Sequence, residues 1–211
     1  MLTERFERAF MYAMVVHGRA ERKGTKIPYM AHLLGVTSLV LQYGGTEDQA
    51  IGALLHDAAE DGGGESRLRD IERTFGPAVA AIVDGCSDTL STTKEPWLTR
   101  KVGYISRVPN EPAFTLLVSV ADKIHNVGAL LADYRTEGEA LWSRFNPDAG
   151  KDGTVGYYRG LVTAYKASGH CSQAVADLDA LVSKLEDSVG MKGVWVPPRL
   201  AGIVRGRMGM S

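Results

Sequence analysis

The stretch Leu54-Leu55-His56-Asp57-Ala58-Ala59-Glu60-Asp61 closes an apolar run and sets four chemically active side chains at its end. On a helix, positions i, i+3 and i+4 are neighbours, so His56, Asp57 and Glu60 are expected on one face. A His, two Asp and a Glu at the end of an apolar helix are costly to bury without compensation. A divalent cation supplies it, because imidazole and carboxylate both coordinate one. An isolated His-Asp pair more often caps a helix or pairs with a neighbour, so this stretch alone does not establish a metal centre.

Outward from it, apolar residues recur at helical spacing along most of the chain, and sustained period-two alternation is missing. The pattern predicts an all-α fold, a helical bundle in a single domain over residues 1–190. A first helix runs from about Thr3, its N-cap, to Arg19, and a second from Tyr29 to Tyr43, stopped by Gly44-Gly45. A third begins after Thr46, continues to about Glu60, and is broken by Gly62-Gly63-Gly64. Two more flank Gly76-Pro77, and the polar segment Ser87 to Glu95 reads as the loop most apt to move. Helices resume over Pro96 to Val108 and Pro112 to Tyr134, the latter apolar enough to be a central core helix, then over Thr154 to Ala167 and Ser172 to Val189. Residues 191–211, with four basic residues and no acidic one, are expected to be extended, docked or disordered.

Composition narrows the partners. The 211 residues carry 24 Lys plus Arg against 25 Asp plus Glu, a net charge of −1. No overall basic excess is available to hold a polymeric nucleic acid or an anionic membrane. The charge is nonetheless uneven: +3 over residues 1–26, −8 over 27–190 and +4 over 191–211. An acidic body suits a bound cation, and a basic N-terminal loop suits a small anionic phosphate ester. Cys86 and Cys171 form no metal-binding pattern and no disulfide framework. The chain's start lacks a continuous apolar core of the secretory kind, and no segment reaches about 18 unbroken apolar residues. The expected location is the cytoplasm.

A second polar cluster, Ala121-Asp122-Lys123-Ile124-His125-Asn126, sits within the most apolar helix. Asp122 there needs a cation or several donors, of which a Lys or Arg is the ordinary one. A third element, Pro28-Tyr29-Met30-Ala31-His32, places a His at the start of another apolar helix.

Together these elements give the order His32, His56-Asp57, Asp122, which resembles that of HD-domain metal-dependent phosphohydrolases. The surrounding words are Arg22-Lys23-Gly24-Thr25, Ile27-Pro28-Tyr29, LLHDAAED at 54–61, FGPAVAAIVDGCSD at 75–88 and ADKIHN at 121–126. They resemble the hydrolase domain of the RelA/SpoT family and the stand-alone small alarmone hydrolases, over residues 5 to 167. The resemblance implies one divalent ion held by His32, His56, Asp57 and Asp122, manganese in that family. Spacing alone does not choose Mn²⁺ over Fe²⁺, Zn²⁺ or Mg²⁺. The ion would acidify water for attack on phosphorus at neutral pH. Glu60 and Asp61 match the family's catalytic acidic pair, with their division of labour left open. Arg22 and Lys23 match the pair that meets base and phosphates, and Asn126 a contact near the ribose. Arg100-Lys101 and Tyr157 or Tyr158 resemble further pocket residues.

The activity so implied is removal of the 3′-diphosphate from (p)ppGpp, giving GDP or GTP and pyrophosphate, with a guanosine nucleotide as the partner. The other readings are an HD phosphohydrolase for another nucleotide or phosphorylated metabolite, and a non-catalytic alarmone-binding regulatory module. Oligomeric state is not legible. The sequence departs from the family at Gly62-Gly63-Gly64, expected to loosen that connection, at Cys86, and in a loop before Pro28 one residue longer. His125 is a candidate for supporting a ligand or a phosphate.

Overall fold

The structure, a computed structural model, describes residues 1–91 and 93–191. Among these, ten α-helices and two short 3-10 segments form two compact units. The predicted tail lies outside the described residues except for Met191.

The first unit comprises residues 1–94 and 112–125. It contains α1 (Glu4–His17), α2 (Tyr29–Gln42), α3 (Glu47–Leu55), α4 (Ala58–Asp61), α5 (Gly64–Phe75), α6 (Pro77–Cys86) and the first half of α8 (Ala113–Glu137). Local chemistry accounts for the helix starts. The Thr3 hydroxyl accepts from the Arg5 N–H at 3.2 Å. Thr46 and Gln49 form a reciprocal capping box, with the Thr46 N–H donating to Gln49 Oε1 at 2.9 Å. Gln49 then spends its amide on the Phe114 carbonyl at 3.0 Å, tying α3 to the start of α8. Leu33, Ile51, Leu54, Leu55, Ile71, Val79 and Val83 are fully buried in one apolar cluster with Ala9 and Ala13 of α1. Burying each large aliphatic side chain contributes about 1.5–3 kcal/mol.

The second unit comprises, among the described residues, 95–111 and 126–191. It contains α7 (Trp97–Arg107), the remainder of α8, α9 (Gly150–Ser168) and α10 (Ser172–Ser188). Short 3-10 segments follow α7 at Val108–Asn110 and α8 at Gly138–Arg144; neither was anticipated from the sequence. Ile105, Leu161, Tyr165, Leu178, Val182 and Leu185 form its buried side. Arg159 clamps α9 to α10 through paired hydrogen bonds to Glu186 at 2.8 and 2.6 Å and an ion pair with Asp179. By length and composition α8 could cross a membrane, yet Leu116, Val118, Val120, Val127 and Leu130 are packed inside the protein.

One expectation needs correction. The third helix does not run on to Glu60: α3 ends at Leu55, a turn occupies His56 and Asp57, and α4 follows. The His56 Nδ1–H donates to the Ala53 carbonyl at 2.8 Å, the acceptor that an uninterrupted helix would offer to the Asp57 N–H. Asp57 sits at φ −96°, ψ −4°, off the helical minimum. His56, Asp57 and Glu60 therefore do not share one helix face.

Candidate metal centre

The turn brings two consecutive side chains to one point. His56 Nε2 lies 2.9 Å from Asp57 Oδ2 and 3.6 Å from Asp122 Oδ1. His32 Nε2, from the first turn of α2, lies 3.2 Å from the same Asp122 oxygen and 3.7 Å from Asp57 Oδ2. One ligand atom from each of His32, His56 and Asp57 falls within 4.8 Å of the others. His32, His56 and Asp122 are buried. All four residues named from the sequence thus meet, although they come from three separate parts of the chain.

The chemistry of His56 tests whether a cation fits. Its Nδ1 is spent on the Ala53 carbonyl, and its Nε2 is fully buried with no hydrogen-bond partner. An unprotonated Nε2 would aim its lone pair between two carboxylates, an arrangement that needs positive charge. A proton is one source: burial opposes charge on His56, but Asp57 and Asp122 outweigh it and draw the imidazole well above its usual range. Against burial, His56 and His32 hold Asp57 well below the ordinary carboxylate range, and Lys123, with His32 and His56, does the same for Asp122. A divalent cation is the other source, and imidazole plus carboxylate oxygen is its usual donor set.

Residues around the cluster orient it. The Tyr29 hydroxyl donates to Asp57 Oδ2 at 2.5 Å, and the buried His17 ring stacks on Tyr29 with centroids 5.1 Å apart. Burial and the Asp57 charge raise the Tyr29 hydroxyl far above its usual range, so it stays a donor. His125 Nδ1 lies 3.0 Å from His32 Nδ1. Burial, with His32 and Arg22 nearby, pushes His125 down to about 4. The sequence reading gives Tyr29 no functional role; its place at the first position of α2, three residues before His32, was the available signal.

Glu60 and Asp61 diverge. Glu60 accepts from the Asp88 N–H at 3.2 Å and from Lys94 Nζ at 3.0 Å, holding both ends of the segment between them. Asp61 has no hydrogen-bond or ion-pair partner for its carboxylate among the described residues; desolvation, then Asp57 and Glu60, push it up to about 6. The Gly62-Gly63-Gly64 run is not a slack connection. Gly64 has φ +52°, and a Cβ there would lie 2.3 Å from the Leu90 carbonyl oxygen, so bare backbone is required.

The loop before α2 is a small hairpin, with the Arg22 N–H bonded to the Ile27 carbonyl at 2.9 Å. Its turn sends the basic pair in different directions: Arg22 is half-buried and close enough to bear on His125, whereas Lys23 is exposed. Asn126 follows His125 on α8 and falls in the second unit. In that unit Lys101 Nζ stands 5.1 Å from the centre of the Tyr157 ring.

Comparison with known proteins decides the family. The model described as "HD domain" matches residues 9–154. The chain belongs to the HD-domain family. HD domains imply a divalent metal, and the His32, His56 and Asp57 cluster stands ready for one. This HD domain is 28% identical over 153 residues to GTP pyrophosphokinase rsh of Brucella suis, covering 69% of this chain and 20% of that protein. The chain thus spans a fifth of the length of that relative. It is 34% identical over 119 residues to guanosine-3′,5′-bis(diphosphate) 3′-pyrophosphohydrolase MESH1 of Xenopus tropicalis, covering 55% of this chain and 64% of that one. For the Drosophila melanogaster MESH1 the figures are 29% over 147 residues, 68% and 77%. Among solved structures, a metazoan ortholog of SpoT that hydrolyzes ppGpp superposes with a TM-score of 0.69 at 22% identity, over 91% of this chain and 99% of that one. That likeness establishes the fold.

Proposed function

We propose that this HD domain is a divalent-metal-dependent hydrolase that removes the 3′-diphosphate from guanosine 3′,5′-bis(diphosphate) or its 5′-triphosphate analogue. The observation that carries the chemistry is the buried Nε2 of His56, which faces Asp57 and Asp122 at ion-pair distance without hydrogen-bonding either. The names of the MESH1 relatives supply the substrate class. His32, His56, Asp57 and Asp122 are the residues assigned to hold the ion, and Mn²⁺ suits two imidazoles with hard carboxylate oxygens. When bound, such an ion supplies positive charge and acidifies water.

The rest falls to the chain's own side chains. Glu60 is engaged by Lys94 and the Asp88 N–H, so Asp61, unpartnered and near neutrality, is the group assigned to take the proton from the attacking water. The water oxygen bonds to the phosphorus on the 3′ oxygen, the P–O3′ bond breaks with its electron pair going to O3′, and the proton taken up by Asp61 is returned through solvent to that oxygen. The products are GDP or GTP and pyrophosphate. As the family resemblance implies, Arg22 and Lys23 are assigned to the phosphates and base of the nucleotide and Asn126 to the ribose.

The test is pyrophosphate release from the guanosine substrate with Mn²⁺, repeated after chelation and with Asp57→Ala. Loss in both supports the reading. Orthophosphate as product, or turnover only of other nucleotides, overturns the substrate assignment. Asp61→Asn is expected to cost more in kcat than Glu60→Gln; the reverse order overturns the assignment of the proton acceptor.

A further inference from the structure

The geometry points to His125 as a positioning residue that fixes the tautomer and ring plane of His32, seated in a space that Gly35 keeps open. The inference rests on the reading of His32 as a cation ligand and goes beyond it by naming what makes that ligand competent.

His32 is gripped at both ring nitrogens from one turn of α8. Asp122 and His125 are three residues apart and so share a helix face. Asp122 Oδ1 lies 3.2 Å from His32 Nε2, and His125 Nδ1 lies 3.0 Å from His32 Nδ1. The two imidazoles meet edge to face, with centroids 4.8 Å apart and planes at 62°. At 3.0 Å the two Nδ1 atoms share a single proton, which one of them donates and the other accepts.

Which ring donates decides whether the site works. If His125 were the donor, His32 Nδ1 would be the acceptor, and neutral His32 would carry its proton on Nε2, the atom that faces the carboxylates. That blocks coordination. With His32 as donor, Nε2 presents its lone pair, and His125 holds its own proton on Nε2. A metal-bound histidine ordinarily hands its outer N–H to a carboxylate or a carbonyl. A carboxylate here would add a third negative charge beside Asp57 and Asp122, whereas a neutral imidazole accepts the same hydrogen bond and adds none.

Gly35 supplies the seat. It lies one turn beyond His32 on α2, and a Cβ at this position would stand 2.2 Å from both Cδ2 and Nε2 of the His125 ring. No side chain fits unless that ring moves, and moving it breaks the contact with His32. Helix α2 therefore provides both the ligand and the floor under its partner, while α8 provides the carboxylate and the positioning ring.

The experiment uses the full chain with ¹⁵N-labelled histidines. Imidazole correlations, recorded with diamagnetic Zn²⁺ in place of Mn²⁺, read the hydrogen bond from His32 Nδ1–H and the tautomer of His125, and calorimetric titration with Mn²⁺ reads affinity. Wild type is expected to show a His32 Nδ1 proton protected from exchange, with the His125 proton on Nε2. His125→Leu and Gly35→Ala are expected to lose that protection and to weaken Mn²⁺ binding about 10- to 100-fold. His125→Gln, whose amide oxygen can accept from His32, should restore most of both. Gly35→Ala retains the imidazole and carries the test if His125→Leu does not fold. Unchanged protection of the His32 Nδ1 proton and unchanged Mn²⁺ affinity in His125→Leu and Gly35→Ala, with Asp57→Ala defective, overturn this inference alone. Absence of Mn²⁺ binding by wild type, or equal binding by Asp57→Ala, overturns the cation reading and this inference with it.

Discussion

Replacing Asp57 by alanine should erase a cation-dependent rise in thermal stability that the intact chain displays. The folded chain gathers His32, His56, Asp57 and Asp122 into one cluster, whereas in the unfolded chain they are scattered along the sequence. An ion that binds only the folded state stabilises it by mass action, by about 2.7 kcal/mol at a hundred times Kd. A chain of this length gains about 2–4 °C in Tm per kcal/mol, so Mn²⁺ at that excess should raise Tm by about 5–11 °C. Asp57→Ala also leaves the Tyr29 hydroxyl without its acceptor, which costs about 1–3 kcal/mol before any ion is added. Each variant must therefore be compared with its own ion-free scan. Differential scanning calorimetry across a Mn²⁺ series, with a chelator control, measures the increment. Glu60→Gln should keep it, because Glu60 is tied to Lys94 and the Asp88 N–H rather than to the cluster. A wild-type Tm that ignores saturating Mn²⁺, Zn²⁺ and Mg²⁺, or an Asp57→Ala increment equal to wild type, refutes the reasoning.

Other consequences are as direct. Tyr29→Phe removes the donor to Asp57 Oδ2 and should lower Mn²⁺ affinity about tenfold by calorimetry; an unchanged Kd would show that the hydroxyl does not orient the carboxylate. Gly64→Ala forces a Cβ against the Leu90 carbonyl at a positive φ and should cost about 1–3 kcal/mol in urea unfolding, seen as a lower midpoint. His17 is buried and its pKa is lowered, chiefly by desolvation, so the folded state favours the neutral ring. The unfolded chain then binds more protons, and the stability present above a pH of about 6.5 declines as pH falls below it. His17→Phe should flatten that part of the profile; the same slope in both proteins would assign it to other groups.

The helices were legible because their signals are local. Thr3 and Thr46 cap where a hydroxyl can reach a free N–H, and Gly44-Gly45 stops α2 where the backbone must turn. The candidate ligands were legible from the order His32, His56-Asp57, Asp122 and the family words around it, since each taken alone reads equally as a capped or paired side chain. The interruption at His56 and Asp57 was not, since Ala58 and Ala59 continue the apolar pattern and are buried. What marks the turn is the Ala53 carbonyl given to the His56 ring, a contact the letters do not show. The partnership of His125 with His32 spans 93 residues, beyond the reach of any local pattern. The Gly62-Gly63-Gly64 run looked slack because the sequence does not reveal the Leu90 carbonyl packed against it.

The turn at His56 and Asp57 also governs how such a site could be transplanted. On a regular helix, consecutive side chains point about 100° apart, so an adjacent His and Asp cannot converge. Here they meet because one helix has stopped, a second has started, and a carbonyl three residues back has been given to the imidazole. A designer who grafts the dipeptide onto an idealised helix would copy the letters and lose the centre. The portable unit is the broken joint, with its Ala53 carbonyl and the two small buried alanines that follow.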